Sequence, residues 1–189
     1  MAELSAEDIR SFSYLSDIGG TDRSFSIPLI YRFLIRFLSP LVRFFFNINF
    51  SGLERIPRKG AMIITSNHVS NLDPIFKILA ARRHVFYLAK EDHFQKQPNK
   101  FIMRSNGMIE TIRSEGGKDA LARAHDVLAS GLALGIFPEG TRSRNANPPF
   151  LQDGKTGVAR LAASFPNIPV IPICIIGSRE VMPPGANFI

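Results

Sequence analysis

The sequence predicts an α/β fold, a mostly parallel central sheet flanked by helices and preceded by an N-terminal hydrophobic helical segment. From residue 51 onward, short apolar runs alternate with helical patterns, which is the order typical of a parallel sheet. Residues 25–50 are instead apolar almost throughout and are interrupted mainly by arginines. Residues 1–24 show little apolar periodicity and predict a short helix or a mobile arm. We therefore divide the chain into an arm (1–24), a helical segment (25–50) and a globular domain (51–189).

The arginines of residues 25–50 share one helical face. At 100° per residue, Arg36 and Arg43 lie about 40° and 20° from Arg32, and the rest of the circumference is apolar. A membrane-spanning helix would place an arginine near mid-bilayer, at a cost of about 2.5 to 3.5 kcal/mol, and Pro40 interrupts the run. In the membrane interface, the arginines would meet anionic head groups while Phe and Leu enter the acyl region. We therefore predict a membrane-associated segment; packing on the domain's own core is the alternative.

Five apolar runs predict the strands, and turn residues or helical patterns separate them. The predicted strands are residues 61–66, 85–89, 107–112, 134–137 and 170–176. A helix begins near Asp73, which suits the N-cap, with Pro74 in the first helical position. Another helix covers residues 118–130, and the single cysteine, Cys174, is expected to be buried in the last strand.

The composition indicates a globular protein with an anionic partner. The chain has 189 residues, of which 45% are hydrophobic, and 23 Lys and Arg against 16 Asp and Glu give a net charge of +7. This excludes a disordered tail. Lipid head groups, nucleic acids and acidic proteins all suit a positive field. The 16 Phe, 3 Tyr and absence of Trp argue against a base-stacking surface, so we predict no nucleic-acid partner.

Polar side chains follow several strands at their carboxyl ends, where ligands bind in α/β sheets. His68 and Asp73 follow the first predicted strand, Arg113 follows the third, and Glu139 and Arg142 follow the fourth. Because the carboxyl ends of parallel strands share one edge, we expect these residues to converge on one cleft.

His68 and Asp73 form a candidate catalytic pair. A five-residue step is about 140° on a helix, so the side chains meet only if His68 lies in a bend before the helix. A carboxylate bonded to one ring nitrogen fixes the tautomer and leaves the other nitrogen free to act as a base. The alternative is a helix cap beside an unrelated loop histidine.

A second group of residues suits an anion. Residues 137–143 leave a strand through a Pro-Glu-Gly turn and present Thr141 and Arg142. Arginine makes bidentate contacts with phosphate, and hydroxyls and turn amides can donate to the same oxyanion. Arg113 ends an alternating strand, and Lys155 lies near another helix start. The alternatives are an exposed turn, an ordinary strand end and a solvated lysine.

Four ordered blocks of this sequence resemble the glycerolipid acyltransferase family, which includes the 1-acylglycerol-3-phosphate acyltransferases. Asn67-His68-x4-Asp73 matches N-H-x4-D, and residues 137–143 match F-P-E-G-T-R-S. Residues 107–113 and 170–173 resemble the second and fourth blocks, although the second reads Glu-Thr where hydrophobic or small residues are usual. The resemblance covers about residues 51–177. Family domains generally continue through further strands, so the resemblance leaves two alternatives: a fragment that lacks C-terminal strands, or a compact variant.

The resemblance implies transfer of a fatty acyl group from acyl-CoA or acyl carrier protein to the free hydroxyl of lysophosphatidic acid, giving phosphatidic acid. His68 would be the general base and Asp73 would orient the imidazolium, with no cofactor and no metal. Glycerol-3-phosphate or another lysophospholipid stays open as the acceptor. A non-enzymatic membrane-binding module also stays open, whereas a serine hydrolase is disfavoured because no G-x-S-x-G motif is present.

The resemblance also implies the substrate-binding residues and the location. Arginine and lysine side chains would bind the acceptor phosphate, and the turn would shape the acceptor site. The implied set is Asn67, Arg113, Glu139, Gly140, Thr141, Arg142 and Lys155. The family commonly carries an N-terminal helical pair, into which Pro28 and Pro40 would divide residues 25–50, holding the protein at the cytoplasmic face of a membrane with anionic lipids.

Overall fold

A computed structural model of the chain describes residues 18–94, 99–105, 107–111, 116–145, 147–184 and 186. Most of the predicted N-terminal arm lies outside the described residues, and so does Arg113. Within the described part, strands and helices alternate after residue 60, which confirms the predicted α/β order.

The sheet of the described residues has five strands, and all of its pairs are parallel. The strands are β1 (Met62–Ser66), β2 (Phe86–Lys90), β3 (Met108–Thr111), β4 (Ala133–Ile136) and β5 (Val170–Ile173). Their spatial order is β3-β2-β4-β1-β5. In β1, Thr65 lies opposite Ile136 of β4 and Ser66 lies opposite Ile173 of β5. The chain segments that leave these three strands therefore emerge side by side at one edge of the sheet.

Helices surround this sheet. The helices of the described residues are α1 (Leu29–Phe45), α2 (Asp73–Ala81), α3 (Asn99–Ser105), α4 (Gly116–Ala129), α5 (Gly157–Ser164) and α6 (Ser178–Val181), with 3-10 turns at Leu53–Arg55 and Glu91–Phe94. Asp73 is the first residue of α2 and Leu72 occupies the cap, so the predicted cap is one position off. The Asp73 side chain makes no helix-capping bond because it turns back to the loop before the helix.

The central strands are buried on both faces. Within β1, Met62, Ile63 and Ile64 are 0% exposed, and successive side chains point to opposite sides of the sheet. Ile63 belongs to a core formed with α4 and α5, which contains Leu121, Ala124, Val127, Leu128, Leu134 and Leu161. Met62 and Ile64 belong to a core formed with α2, which contains Ala80, Ala81, Val85 and Ala133. These two cores hold the carboxyl edge of β1 in place.

The last strand lies at an edge and is far more exposed. Residues of β5 alternate between exposed and half-buried, and the strand ends at Ile173 rather than at residue 176. Cys174 is exposed, so its predicted burial is wrong. The apolar run around Cys174 does not indicate an edge strand. Among the described strands, β5 pairs with β1 alone.

The N-terminal helix is continuous through its proline. The 17 residues of α1 include Pro40, so the predicted division into a helical pair at that residue is wrong. Pro40 is exposed, and the helix is held against the domain on either side of it. Among the described helices, none combines the length and apolar character needed to cross a bilayer.

Two polar contacts fasten α1 to the domain. Tyr31 is 2% exposed; its hydroxyl donates to Val85 O at 2.8 Å and accepts from Val85 N at 3.1 Å. Burial raises the pKa of this hydroxyl, so it remains a donor. Near the other end, Arg43 Nη2 donates to Leu79 O at 2.9 Å, at the C-terminus of α2, where the helix dipole favours a cation. The alternative interpretation, packing on the domain, is therefore confirmed for one face of α1.

The opposite side of α1 is an exposed apolar face. Arg32 and Arg36 are exposed, whereas Arg43, predicted to share their lipid-facing side, binds the domain instead. The apolar side chains of this face are 45% to 81% exposed. They are Leu29, Ile30, Phe33, Phe37, Leu41, Phe44 and Phe45. A continuous apolar surface of this kind marks an interaction site.

Residues 18–27 form an irregular segment that contacts the C-terminal end of α4. Asp126, which is 3% exposed, accepts from Thr21 N at 2.9 Å, and Phe25 N donates to Ser130 Oγ at 3.0 Å. The described end of the predicted arm is therefore bound to the domain by hydrogen bonds.

Substitution of Tyr31 by Phe should destabilise the protein. Removing the hydroxyl leaves the buried N–H and carbonyl of Val85 without their partner, at a cost of about 1 to 3 kcal/mol. Urea unfolding measures the loss. Phe33→Ala is the control, because Phe33 is 61% exposed and its removal should change the free energy of unfolding by less than about 0.5 kcal/mol. Equal stability of Tyr31→Phe and the native chain would contradict the anchoring role.

Candidate active site

The structure brings His68 and Asp73 together at the end of β1. The chain bends after β1. His68 lies in this bend, before α2, and its side chain faces Asp73, the first residue of that helix. His68 Nδ1 lies 2.9 Å from Asp73 Oδ2. The carboxylate is 0% exposed, while the His68 side chain is 16% exposed. This is the bend that the spacing requires for the two side chains to meet.

Several donors hold the Asp73 carboxylate in place. Val69 N and Ser70 N donate to Oδ2 at 2.7 and 2.8 Å, and Ser178 Oγ donates to Oδ1 at 2.6 Å. Ser178 begins α6, which follows β5, so the contact joins the loops of two neighbouring strands. The orientation of the carboxylate, and with it that of the imidazole, is therefore fixed from three sides.

The turn after β4 holds His68 from the opposite side. The imidazole stacks on the ring of Phe137, with 3.8 Å between centroids and 14° between planes. His68 N donates to Glu139 Oε1 at 2.9 Å, and Ser143 N donates to His68 O at 2.7 Å. Glu139 is 6% exposed, and in the described structure its Oε2 is buried with no hydrogen-bond partner.

Two cationic side chains flank this turn. Arg142 is half-buried and its Nη1 donates to Asn71 Oδ1 in the loop between His68 and Asp73. Lys155 is exposed and its backbone N donates to Pro138 O at 2.8 Å. Its side chain lies over Gly140, whose φ of +68° and close approach to Lys155 both suit glycine. Arg142 thus contacts the loop that carries His68 and Asp73, and Lys155 contacts the Pro-Glu-Gly turn.

The other predicted substrate-binding residues are placed differently. Asn67 Nδ2 donates to Ile175 O at 2.8 Å and Ile175 N donates to Asn67 Oδ1 at 2.9 Å, so this amide joins the segments after β1 and β5. Thr141 is exposed at the tip of the turn. Arg113 lies outside the described residues, and its predicted role stays a prediction.

Sequence reasoning missed the roles of Ser178 and Lys77. Ser178 follows β5, and the rule that polar residues after strands meet at one edge could have indicated its contact with Asp73. Lys77 is 0% exposed beneath the cleft, and its Nζ donates to Ile136 O at 3.0 Å. Its position four residues after Asp73 places both side chains on one face of α2, which was readable from the sequence.

A groove adjoins Ser178, the residue that donates to Asp73. It has a volume of about 440 Å³ and runs between the segment after α1, one side of α2 and the segment after β5. Its lining is largely apolar, with Phe50, Phe76, Ile175 and Val181 among the contributing residues, and Ser178 also lines it. Among the described residues, no cluster of His, Cys, Asp or Glu is placed to hold a metal ion.

Comparison with known proteins places this arrangement in a family. Chloroplastic 1-acyl-sn-glycerol-3-phosphate acyltransferase LPAT1 of Arabidopsis thaliana is 30% identical over 146 residues, 76% of this chain and 40% of that protein. The 1-acyl-sn-glycerol-3-phosphate acyltransferase of Borreliella burgdorferi is 30% identical over 127 residues, 62% of this chain and 50% of the relative. The chain thus spans half or less of the length of these curated relatives.

A solved structure shares the fold. The crystal structure of the 1-acyl-sn-glycerophosphate (LPA) acyltransferase PlsC from Thermotoga maritima superposes with a TM-score of 0.64 at 23% identity, covering 82% of this chain and 63% of that one. The sequence profile of the Acyltransferase family matches residues 47–176, which include the His68–Asp73 pair, the turn after β4 and β5. The chain therefore belongs to the Acyltransferase family.

Proposed function

We propose that this protein transfers a fatty acyl group from a thioester, on coenzyme A or acyl carrier protein, to the free hydroxyl of 1-acylglycerol-3-phosphate, producing phosphatidic acid. The observation that carries the proposal is the bond between His68 Nδ1 and the buried Asp73 carboxylate, beside the Arg142 turn. Membership of the Acyltransferase family supports it, and so do the two relatives that are named as 1-acyl-sn-glycerol-3-phosphate acyltransferases.

His68 acts as the general base. Asp73 accepts a hydrogen bond from Nδ1, which fixes the tautomer with the proton on that nitrogen and leaves the lone pair of Nε2 available. Nε2 takes the proton of the acceptor hydroxyl as its oxygen attacks the thioester carbonyl. Asp73 then faces the imidazolium that forms and stabilises its charge.

The tetrahedral intermediate collapses with loss of the thiolate. The carbon–sulfur bond breaks, the new ester carbon–oxygen bond remains, and the proton held on His68 Nε2 passes to the departing sulfur. The products are the acylated lipid and a free thiol, and His68 returns to its starting state. No acyl-enzyme is needed, because the acceptor itself is the nucleophile.

The acceptor phosphate is held at the rim of the cleft. Arg142 and Lys155 lie on either side of the turn after β4, and both supply charged donors for a phosphate. Glu139 and Asn67 act as positioning residues, since their polar atoms hold the backbone of His68 and of Ile175. We propose that Thr141, Gly140 and Arg113 complete the acceptor site.

The apolar groove and α1 suit a lipid substrate. The groove lies between the segment after α1 and Ser178, so a hydrocarbon chain in it would end beside the residue that donates to Asp73. We propose that residues 25–50 anchor the protein in the interface of an anionic membrane, at its cytoplasmic face, and that residues 51–189 form the catalytic domain. The free thiol of Cys174 is compatible with that reducing compartment.

Substitution of His68 by Ala should abolish transfer while the protein stays folded. Loss of general-base catalysis lowers kcat by about 10² to 10⁴. The assay supplies a labelled acyl group as its thioester with coenzyme A or with acyl carrier protein. The acceptor is lysophosphatidic acid, glycerol-3-phosphate or a lysophospholipid with a larger head group. His125→Gln on α4 is the matched control and should keep kcat within about twofold. Release of free fatty acid by the native protein would indicate a hydrolase. The absence of any turnover would indicate a non-enzymatic binding module.

Substitution of Arg142 by Ala should weaken use of the acceptor more than use of the acyl donor. Loss of a charged hydrogen bond of about 1.5 to 3 kcal/mol corresponds to a rise in the KM for lysophosphatidic acid of roughly tenfold to a hundredfold. Arg144→Ala is the control, because Arg144 is exposed two residues further on. An Arg142→Ala enzyme with an unchanged acceptor KM would contradict the assignment.

Removal of three aromatic rings from α1 should release the protein from membranes. The combined variant Phe33→Ser, Phe37→Ser and Phe44→Ser removes side chains that are 57% to 81% exposed. Each ring contributes on the order of 1.5 kcal/mol on burial, so binding to phosphatidylglycerol-containing liposomes should fall more than tenfold in cosedimentation. Phe101→Ser on α3, where Phe101 is 59% exposed, is the control. Undiminished cosedimentation of the triple variant would refute anchoring by this face.

A further inference from the structure

Lys77 carries a buried amine near the catalytic pair. The packing of α2 does not require an amine at this position. Lys77 is 0% exposed, and its Nζ bonds to a backbone carbonyl, Ile136 O at 3.0 Å, rather than to a carboxylate. Burial lowers the pKa of this amine well below its usual range, and the nearby Asp73 opposes that shift. Burial of an amine in a core costs free energy that a methionine of similar length would not.

The amine is in contact with the ring on which His68 stacks. Lys77 Nζ lies 3.5 Å from the centroid of Phe137, and the imidazole centroid lies 3.8 Å from the same point with nearly parallel planes. Groups this close to one ring centroid must lie on opposite faces of the ring, since on one face they would overlap. Phe137 is therefore sandwiched between Lys77 and His68.

We propose that Lys77 is a positioning residue for His68 that acts through Phe137. The bond to Ile136 O fixes the amine against one face of the Phe137 ring, and the other face of that ring supports the plane of the imidazole. Asp73 fixes one atom of His68, Nδ1, and leaves the ring free to tilt about that contact. The stack removes this tilt and so sets the direction in which Nε2 points. The inference rests on the proposed role of His68 as the base.

The first test is Lys77→Met in the full chain. Because a misdirected base slows the chemical step, kcat should fall roughly tenfold. The KM values for acceptor and acyl donor should stay within about twofold, since neither binding contact is changed. The thermal midpoint should change little, because relief from burying an amine offsets the loss of its hydrogen bond to Ile136 O. Leu79→Met, on the same helix and 3% exposed, is the matched control and should leave kcat within twofold.

A double-mutant cycle with Phe137→Leu separates positioning from general packing. If Lys77 acts through the ring, Lys77→Met should lower kcat about tenfold in the native chain and less than about twofold in the Phe137→Leu background. Equal effects in both backgrounds would overturn the proposal, as would an unchanged kcat in Lys77→Met. If Lys77→Met fails to fold, Lys77→Gln, which keeps an N–H donor near Ile136 O, takes its place with the same expectations.

A measurement without substrate distinguishes failure of this inference from failure of the proposed function. Stacking on Phe137 shifts the ring-proton resonances of His68 upfield in NMR spectra, and Phe137→Leu should abolish that shift. Lys77→Met should reduce or broaden it, whereas Leu79→Met should not. An unchanged His68 signal in Lys77→Met would overturn the inference even in an active enzyme. A native chain that turns over no substrate would overturn the proposed function, and the NMR result would still decide the role of Lys77.

Discussion

The site depends on one buried carboxylate, whose oxygen atoms must accept hydrogen bonds from the protein. Asp73 has no access to water, so its oxygens take their hydrogen bonds from the protein: the amides of Val69 and Ser70, the imidazole of His68, and the hydroxyl of Ser178. A buried acceptor left without its donors costs about 1 to 3 kcal/mol. The bend after β1, the start of α2 and the start of α6 are therefore constrained by one group. The same bonds that stabilise this edge of the sheet hold the carboxylate at the angle that the imidazole needs.

A second set of contacts makes the geometry of His68 rigid. Glu139 and Ser143 hold its backbone N–H and carbonyl, while Phe137 covers one face of its ring. All three belong to the turn after β4, which the sheet order places beside β1. In its proposed role as the base, His68 would need little reorganisation before it accepts a proton, because its backbone and its ring are both fixed. Because β1 and β4 pair in parallel, the motifs that follow them emerge at the same edge of the sheet. Two motifs that are far apart in the sequence therefore form one site.

The sequence predicts the sheet and the meeting point of its loops, because apolar periodicity and strand polarity are local properties that determine which edge receives the polar residues. The His68–Asp73 contact depends on a bend that spacing leaves open, and the structure supplies it. The contacts of Ser178 with Asp73 and of Lys77 with Phe137 join residues far apart in the chain, so tertiary packing alone sets them. Cys174 was misjudged for a related reason: hydrophobicity does not tell an edge strand from a central one. Pro40 likewise sits within one helix, since tertiary contacts hold the chain on both sides of it.

The hydrogen bonds of Tyr31 and Arg43 attach α1 to the domain near both of its ends, so the helix is held rigidly and not by a flexible linker. On the proposed membrane surface, the exposed apolar face would then set a fixed tilt of the whole domain, with the groove opening toward the lipid plane. The search for an acceptor would become two-dimensional, because lysolipid reaches the cleft by lateral diffusion within one leaflet. For such an enzyme the relevant substrate concentration is molecules per unit area of bilayer, and dilution by inert lipid slows turnover even at constant bulk concentration.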